Sequence, residues 1–275
     1  MDGRLVSEAW LKRYLSLLGV EREPPGRAAL ARLVRAQGEF GVFENVTAIL
    51  RRARVPTGPL PAVDLDALLS ARADGRGGGV CFELTPLFRR LLLGLGYQVQ
   101  PILAQISFPG SHHASVVDID GAQLLVDIGG GAPLWRPFPL QEEVEIRHAG
   151  LGYRLRPDGP GAHLQERLID GEWQPFCRYD LRPAGAAARE VAYQRHHAAG
   201  ETWVVGNLTL VRCTREAVHR LRDDELVTHT ADGKQTERIV GGAGFRRVVA
   251  EVFGLPALPV EAALVALEEI RRVRR

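Results

Sequence analysis

Gly77-Gly78-Gly79-Val80-Cys81-Phe82-Glu83-Leu84 is the stretch on which the reading of this 275-residue chain turns. Three glycines deliver a cysteine to the start of an apolar, helix-compatible run. The first turn of a helix has unpaired N–H groups and partial positive charge. Such a position lowers a thiol's pKa and supplies thiolate, the nucleophilic form. The glycines also leave the sulfur open and let backbone approach an acyl oxygen closely. The competing reading is an inert cysteine buried after a turn.

On the N-terminal side of this run the chain reads as helical. Trp10, Leu11, Tyr14, Leu15 and Leu18 recur at helical spacing, and Gly19 is placed to end the helix. Pro24-Pro25-Gly26 breaks the chain. Leu30, Leu33, Val34 and Gln37 predict a second helix, and Asp64 caps a third over 64–69. A fourth runs from Phe82 to Leu93, with Pro86 tolerated near its start. After Gly96 the pattern turns to strands: 97–106, 114–119 and 122–128, the last two flanking the hairpin signal Asp120-Gly121. Short strands follow around 153–155, 164–169 and 176–181, with turns at Asp158-Gly159-Pro160 and Asp170-Gly171. This spacing suits a small antiparallel barrel. The last seventy residues mix strands (207–213, 225–230) with helices near 245–253 and 260–275. Gly241-Gly242-Ala243-Gly244 reads as a turn rather than a phosphate cradle.

The hairpin selects a base for the cysteine. With a two-residue turn at Asp120-Gly121, Ile119 opposes Ala122 and Ala114 opposes Asp127. Opposed residues share a face, as do residues two apart on a strand. His112 is then diagonal to Asp127 on one face, roughly 7–8 Å away at the backbone, and His113 points to the other; one inserted residue would exchange the two histidines. A cysteine nucleophile needs such a base and a group to orient it. The other histidines (148, 163, 196, 197, 219 and 229) lie in polar or turn-like stretches and are expected at the surface. Glu44 is expected to be half buried and therefore paired, with Arg76 as its partner.

Composition narrows the classes. Hydrophobic residues make up 45% and charged residues 25%, with a formal net charge of +2. That is ordinary for a globular protein and demands neither nucleic acid nor membrane. The opening Met-Asp-Gly-Arg-Leu-Val has no basic, apolar leader pattern, so no signal peptide is expected. Cys81, Cys177 and Cys213 are odd in number and widely spaced. They point to a reducing cytoplasm and lack the paired spacing of a zinc site.

Taken in order, Phe43-Glu44-Asn45, the Gly78–Leu84 run, His112 with Val126-Asp127-Ile128-Gly129, Asp170-Gly171-Glu172-Trp173 and Val252-Phe253-Gly254-Leu255 resemble the arylamine N-acetyltransferases over nearly the whole chain. The resemblance implies an α+β fold with a cysteine-protease/transglutaminase-like core. It divides into an N-terminal helical bundle (1–95) carrying the cysteine, a central antiparallel β-barrel (96–200) carrying His and Asp, and a C-terminal α/β lid (201–275). It implies a ping-pong reaction: acetyl-CoA, a co-substrate rather than a permanently bound cofactor, acylates Cys81; His112 is its base, Asp127 orients the base, and an arylamine or hydrazine takes the acyl group. Phe43, Val80, Phe108, Gly129, Gly130, Gly131 and Trp203 would bind substrate or CoA. Several positions depart from the family: Gly77 replaces its arginine, with Arg76 one residue back. Val80 stands for an aromatic, Thr85 for Asn and Gly130 for Phe. Gln194-Arg195-His196-His197 takes the place of an Asn-x-x-x-Ser/Thr stretch. The smaller Val80 and Gly130 predict a roomier site for bulkier substrates. Related amide synthases use a similar triad on a thioester chain, with an acyl carrier protein as partner. A hydrolase or transglutaminase-like enzyme and a binding protein with a relict site complete the alternatives.

Overall fold

The computed structural model describes residues 6–272. The start of the chain, on which the absence of a leader was read, and the last three residues of the predicted final helix lie outside them. Eight helices and thirteen strands are present among the described residues. Helices α1 (Glu8–Leu18), α2 (Arg27–Phe40), α3 (Val46–Arg54), α4 (Leu65–Ala73) and α5 (Cys81–Gly94) occur in the first ninety-four positions, with the two-residue strand β1 (Phe43–Glu44) before α3. The Ser7 hydroxyl caps α1 by accepting from Trp10 N–H, and Gly19 closes it at φ 65°. Asp64 accepts from Asp66 and Ala67 to cap α4. Buried Trp10, Leu11, Tyr14, Leu30, Leu33, Leu69, Phe88, Leu91 and Leu92 form one core among α1, α2, α4 and α5. Removing such side chains from water supplies roughly 1.5–3 kcal/mol each. Helix α3 was not anticipated: Arg51, Arg52 and Arg54 fill a third of its nine residues and mask its apolar face.

Strands β2 (Gln98–Gln105), β3 (His112–Ile119), β4 (Ala122–Val126), β5 (Phe138–Pro139), β6 (Val144–His148), β7 (Leu151–Pro157), β8 (Ala162–Ile169) and β9 (Glu172–Asp180) form one antiparallel sheet. Its order is β5-β4-β3-β2-β9-β8-β7-β6, curled into a nearly closed barrel. Asp120 and Gly121 both take left-handed backbone, φ 53° and 71°. This is the two-residue turn whose twist matches a hairpin, and it sets Ile119 opposite Ala122. Helix α6 (Ala186–His196) leads to the second sheet.

Strands β10 (Thr209–Cys213), β11 (Ala217–Arg222), β12 (Glu225–Thr230) and β13 (Gly233–Arg238) form that sheet, with β1 as its other edge. Helices α7 (Gly241–Glu251) and α8 (Val260–Arg272) cover one face through Leu210, Leu221, Leu226, Phe245, Val248, Phe253 and Leu267. The Gly241–Gly244 run, expected as a turn ahead of the helix, is the first turn of α7 itself. Strand β13 (Gly-Lys-Gln-Thr-Glu-Arg) is exposed on both faces, so no alternation marked it in the sequence. Among the described residues no helix is long and apolar enough to cross a membrane.

Candidate active site

Helix α5 starts at Cys81, and the loop before it is fixed from three sides. Glu44, fully buried, accepts from Gly78 N–H at 3.1 Å, from Thr47 N–H at 3.0 Å and from the Thr47 hydroxyl at 2.7 Å. Burial pushes its carboxyl up, and these bonds offset only part of the shift. Arg76 does not reach it; it pairs with exposed Asp74 at 2.6 Å. The carboxylate needed partners, but backbone and hydroxyl donors supply them. At the helix start, Val80 N–H donates to the Glu83 carboxylate at 2.9 Å, and Arg51 pairs with Glu83. Any side chain at Gly78 would strike the Val42 carbonyl, 2.1 Å from the position of a Cβ.

His112 and Asp127 come together as the hairpin register requires. His112 Nε2 lies 2.7 Å from Asp127 Oδ2, and both residues are 2% exposed. Asp127 Oδ1 accepts from Gly129 N–H at 3.1 Å, and its Oδ2 accepts from the Tyr179 hydroxyl at 2.7 Å. The Tyr179 oxygen also lies 2.9 Å from the Gln165 amide, whose nitrogen is otherwise without a partner. The rotamer with Gln165 N–H donating to Tyr179 satisfies both groups. Burial alone would disfavour charge on His112, but the Asp127 carboxylate and the bonded Cys81 sulfur outweigh it and hold the imidazole well above its ordinary range. Asp127 is held below its ordinary range: burial opposes ionisation, and His112, Tyr179 and Gly129 overcome it. With Nε2 committed to Asp127, Nδ1 of His112 is the atom left to meet the thiol. Gly129 lets the loop cross the cysteine, since a Cβ there would sit 2.9 Å from Cys81 Cα.

His113, on the opposite face, stacks on Phe82 with ring centroids 5.5 Å apart. Both its nitrogens are buried without partners, and burial takes its pKa down to about 3. The expectation of surface histidines fails at His163, His196 and His197, all buried. His196 Nε2 lies 3.9 Å from Cys81 Sγ, within hydrogen-bond range for sulfur. Its ring also bonds the Ser111 backbone, and burial holds it far below the ordinary imidazole range. A proton on Nδ1, donated to the Ser111 carbonyl, leaves Nε2 as an acceptor toward the thiol. Ser111 in turn accepts from Ile106 and Ser107 N–H groups through its hydroxyl, which shapes the β2–β3 loop. No local signal exposed His196; its closeness to Cys81 depends on how α6 returns across the barrel.

A cavity of about 270 Å³ opens at Cys81 and His112. Phe43, Gly129, Gly130 and Trp203 line it, together with Thr209, Val211 and Phe176. Gly130 faces His112 and Asp127, leaving open the space a larger side chain would take. Val80 is fully buried in the apolar cluster with Phe43 and Val211 rather than on the cavity wall. Gly131 lines a small neighbouring cleft, and Phe108 lies under the Arg195 guanidinium at 4.2 Å.

Comparison with known proteins places these features. Residues 28–262 match the family model described as N-acetyltransferase. An arylamine N-acetyltransferase of Mycolicibacterium smegmatis is 28% identical over 257 residues, covering 88% of this chain and 90% of that protein. Proansamycin X synthase of Amycolatopsis mediterranei is 33% identical over 169 residues, covering 53% of this chain and 64% of that one. The solved Mycobacterium marinum arylamine N-acetyltransferase in complex with CoA superposes with a TM-score of 0.78 at 22% identity, covering 94% of this chain and 97% of that chain.

Proposed function

The chain belongs to the arylamine N-acetyltransferase family, and we propose that it carries an acyl group from a coenzyme A thioester, through Cys81, to an arylamine or hydrazine nitrogen. The observation that carries this reading is the buried line Tyr179–Asp127–His112–Cys81 opening onto a substrate-sized cavity. His112 takes the thiol proton, and Asp127 fixes the ring and stabilises the imidazolium. The thiolate attacks the acyl carbon, the first N–H groups of α5 face the oxygen that gains charge, and the departing CoA sulfur takes the proton back from His112. The amine then attacks the Cys81 thioester, loses its proton to His112 and frees the sulfur. Phe43, Gly129, Gly130 and Trp203 form the walls, with Val80, Phe108 and Gly131 shaping them from behind. The CoA-bound relative of the same fold supports CoA as donor. In this reading residues 1–95 bring the nucleophile, 96–200 the base and its carboxylate, and 201–275 the cover. The reaction belongs in the cytoplasm, where three buried free cysteines stay reduced.

A second reading is an amide synthase that takes its acyl chain from a carrier protein. It is favoured by the likeness to proansamycin X synthase and by the space beside Gly130. Intact mass after incubation with acetyl-CoA tests the first reading: one acetyl group on Cys81, absent in Cys81→Ala, is expected. Acylation from a carrier-loaded thioester but not from acetyl-CoA would select the second. Turnover retained in Cys81→Ala would reject both.

A further inference from the structure

His196 is an acceptor whose donor is lost once the sulfur has reacted. Its Nε2 lies 3.9 Å from Cys81 Sγ, on the wall of the cavity that His112 also lines. The ring is held in place. It packs on Phe82, the residue after the nucleophile, with centroids 4.8 Å apart, and against His197 at 5.1 Å. The Thr202 hydroxyl donates to the His196 carbonyl at 2.8 Å, and the ring bonds the Ser111 backbone. The residue is 3% exposed, and burial, with the charges of His197 and His112, keeps the imidazole neutral. The lone pair of Nε2 therefore faces the sulfur. A thiol can fill it; a thiolate or a thioester has no proton to give. An empty buried acceptor costs free energy, which a donor entering the cavity beside the sulfur recovers. His196 falls in the Gln194–His197 stretch, where the chain departs from the family pattern, so this acceptor is the chain's own.

We propose that His196 selects the nitrogen of the acyl acceptor: in the Cys81 acyl-enzyme its Nε2 accepts one N–H of the incoming amine, while the other N–H faces Nδ1 of His112. The proposal rests on the acyl-transfer reading. A nucleophile ready to attack stands roughly 3–3.5 Å from the carbon it will bond. The thioester carbon is bonded to Sγ, so that nitrogen comes within hydrogen-bond reach of an imidazole nitrogen 3.9 Å from Sγ. Two acceptors on one nitrogen leave its lone pair aimed at the carbon. The lone pair forms the C–N bond, the C–S bond breaks, and its electron pair returns to Cys81. His112, neutral in the acyl-enzyme, takes one proton and ends as the imidazolium beside the thiolate. The N–H on His196 is not transferred and remains in the product amide. A primary amine or a terminal hydrazine nitrogen supplies both N–H bonds. A secondary amine has one and leaves an imidazole unfilled, and a site that hydrogen-bonds a substrate N–H rejects the analogue without it.

The test compares 4-methoxyaniline with N-methyl-4-methoxyaniline as acceptors for the acyl-enzyme formed from 4-nitrophenyl acetate, a donor that needs neither CoA nor a carrier. Nitrophenolate release follows acylation, and intact mass of quenched samples follows loss of the acetyl group. The primary amine is expected to discharge the acyl-enzyme at least about a hundredfold faster than its N-methyl counterpart. His196→Phe keeps a ring on Phe82 and opens no space. In this variant discharge by the primary amine should fall about a hundredfold, so that the preference is lost. Discharge by the N-methyl amine and the rate of acylation should stay within about threefold of the parent, since only the step that uses the second N–H is touched. His196→Gln serves should His196→Phe fail to fold, with the same split between the two amines expected. A preference that survives in the variant would be steric and would overturn the proposal. Equal slowing of both amines, the mark of lost packing, would overturn it too. Slowed acylation with unchanged discharge would assign His196 to the thiol instead of the amine. Each of these three outcomes ends the proposal and leaves acyl transfer standing. A parent protein that forms no acetyl-Cys81 from any thioester or active ester would end the acyl-transfer reading, and the proposal with it.

Discussion

The two sides of the cavity are built on opposite terms. On the side of α5 and the β3–β4 hairpin, the polar groups that converge on the cysteine are closed on one another. Asp127 has three donors, Glu44 accepts from Thr47 and Gly78, and Gly129 lies against the cysteine with no room for a methyl group. On the side of α6, β8 and β11, groups are left open: His196 aims an acceptor at the sulfur, and Arg167, Arg220 and Arg222 have no carboxylate beside them. Saturated groups fix a geometry and do not change with the ligand. Unsaturated groups wait for one. The difference assigns the chemical step to the first side and substrate choice to the second.

The largest expected effect breaks the closed side. Cys81→Ala should abolish turnover, and Asp127→Asn should cost about 10³–10⁴ in kcat, because members of such a set act as a unit. Steady-state rates within tenfold of the parent in Asp127→Asn would remove the carboxylate from the mechanism.

His196 sharpens the boundary, being an open-side residue in reach of the sulfur. His196→Gln should slow turnover by about a hundredfold, the lower end for a proton acceptor, with an altered acid limb in the pH–rate profile. A change below twofold with an unshifted profile would leave it as packing against Phe82.

A smaller effect separates neighbouring histidines by the sign of their pH dependence. His113 is neutral when folded and protonates on unfolding below pH 6.5, so its contribution falls as pH falls, by about 2 kcal/mol at pH 5. His112 is raised, so its contribution is complete below pH 6.5 and is lost as pH climbs through its folded pKa. His113→Phe, which keeps the stack on Phe82, should therefore flatten the decline of Tm between pH 6.5 and 5. An unchanged slope would mean that another group dominates acid unfolding. The smallest effect is at Arg76: Arg76→Ala should change stability by less than about 0.5 kcal/mol, as for other exposed pairs. A larger loss in a urea melt would show that Arg76 supports the glycine loop after all.

Legibility in the sequence followed the same division. Asp120-Gly121 set the β3–β4 register by turn chemistry alone, and with it the face shared by His112 and Asp127. Local caps and apolar spacing likewise gave α1, α2, α4 and α5. What escaped depends on partners far along the chain. His196 and His197 sit in a polar run and are buried by a barrel loop and α3. Arg167 and Arg220, more than fifty residues apart, meet only because two sheets face each other. Glu44 was read as needing a cation because backbone donors leave no trace in composition.

Phe43 and Glu44 pair with Val211 and Leu210, and the Asn45 amide reaches the carbonyls of Val204 and Asn207. The loop that presents the nucleophile therefore hangs from a segment made about 160 residues later. At ribosomal rates of roughly 5–20 residues per second, on the order of ten to thirty seconds separate the two. In the later part of that interval the thiol is outside the ribosome without its support. Reactivity arrives with the end of translation, and a chain stopped before Thr209, although it holds Cys81, His112 and Asp127, is expected to react with iodoacetamide no faster than a free cysteine does.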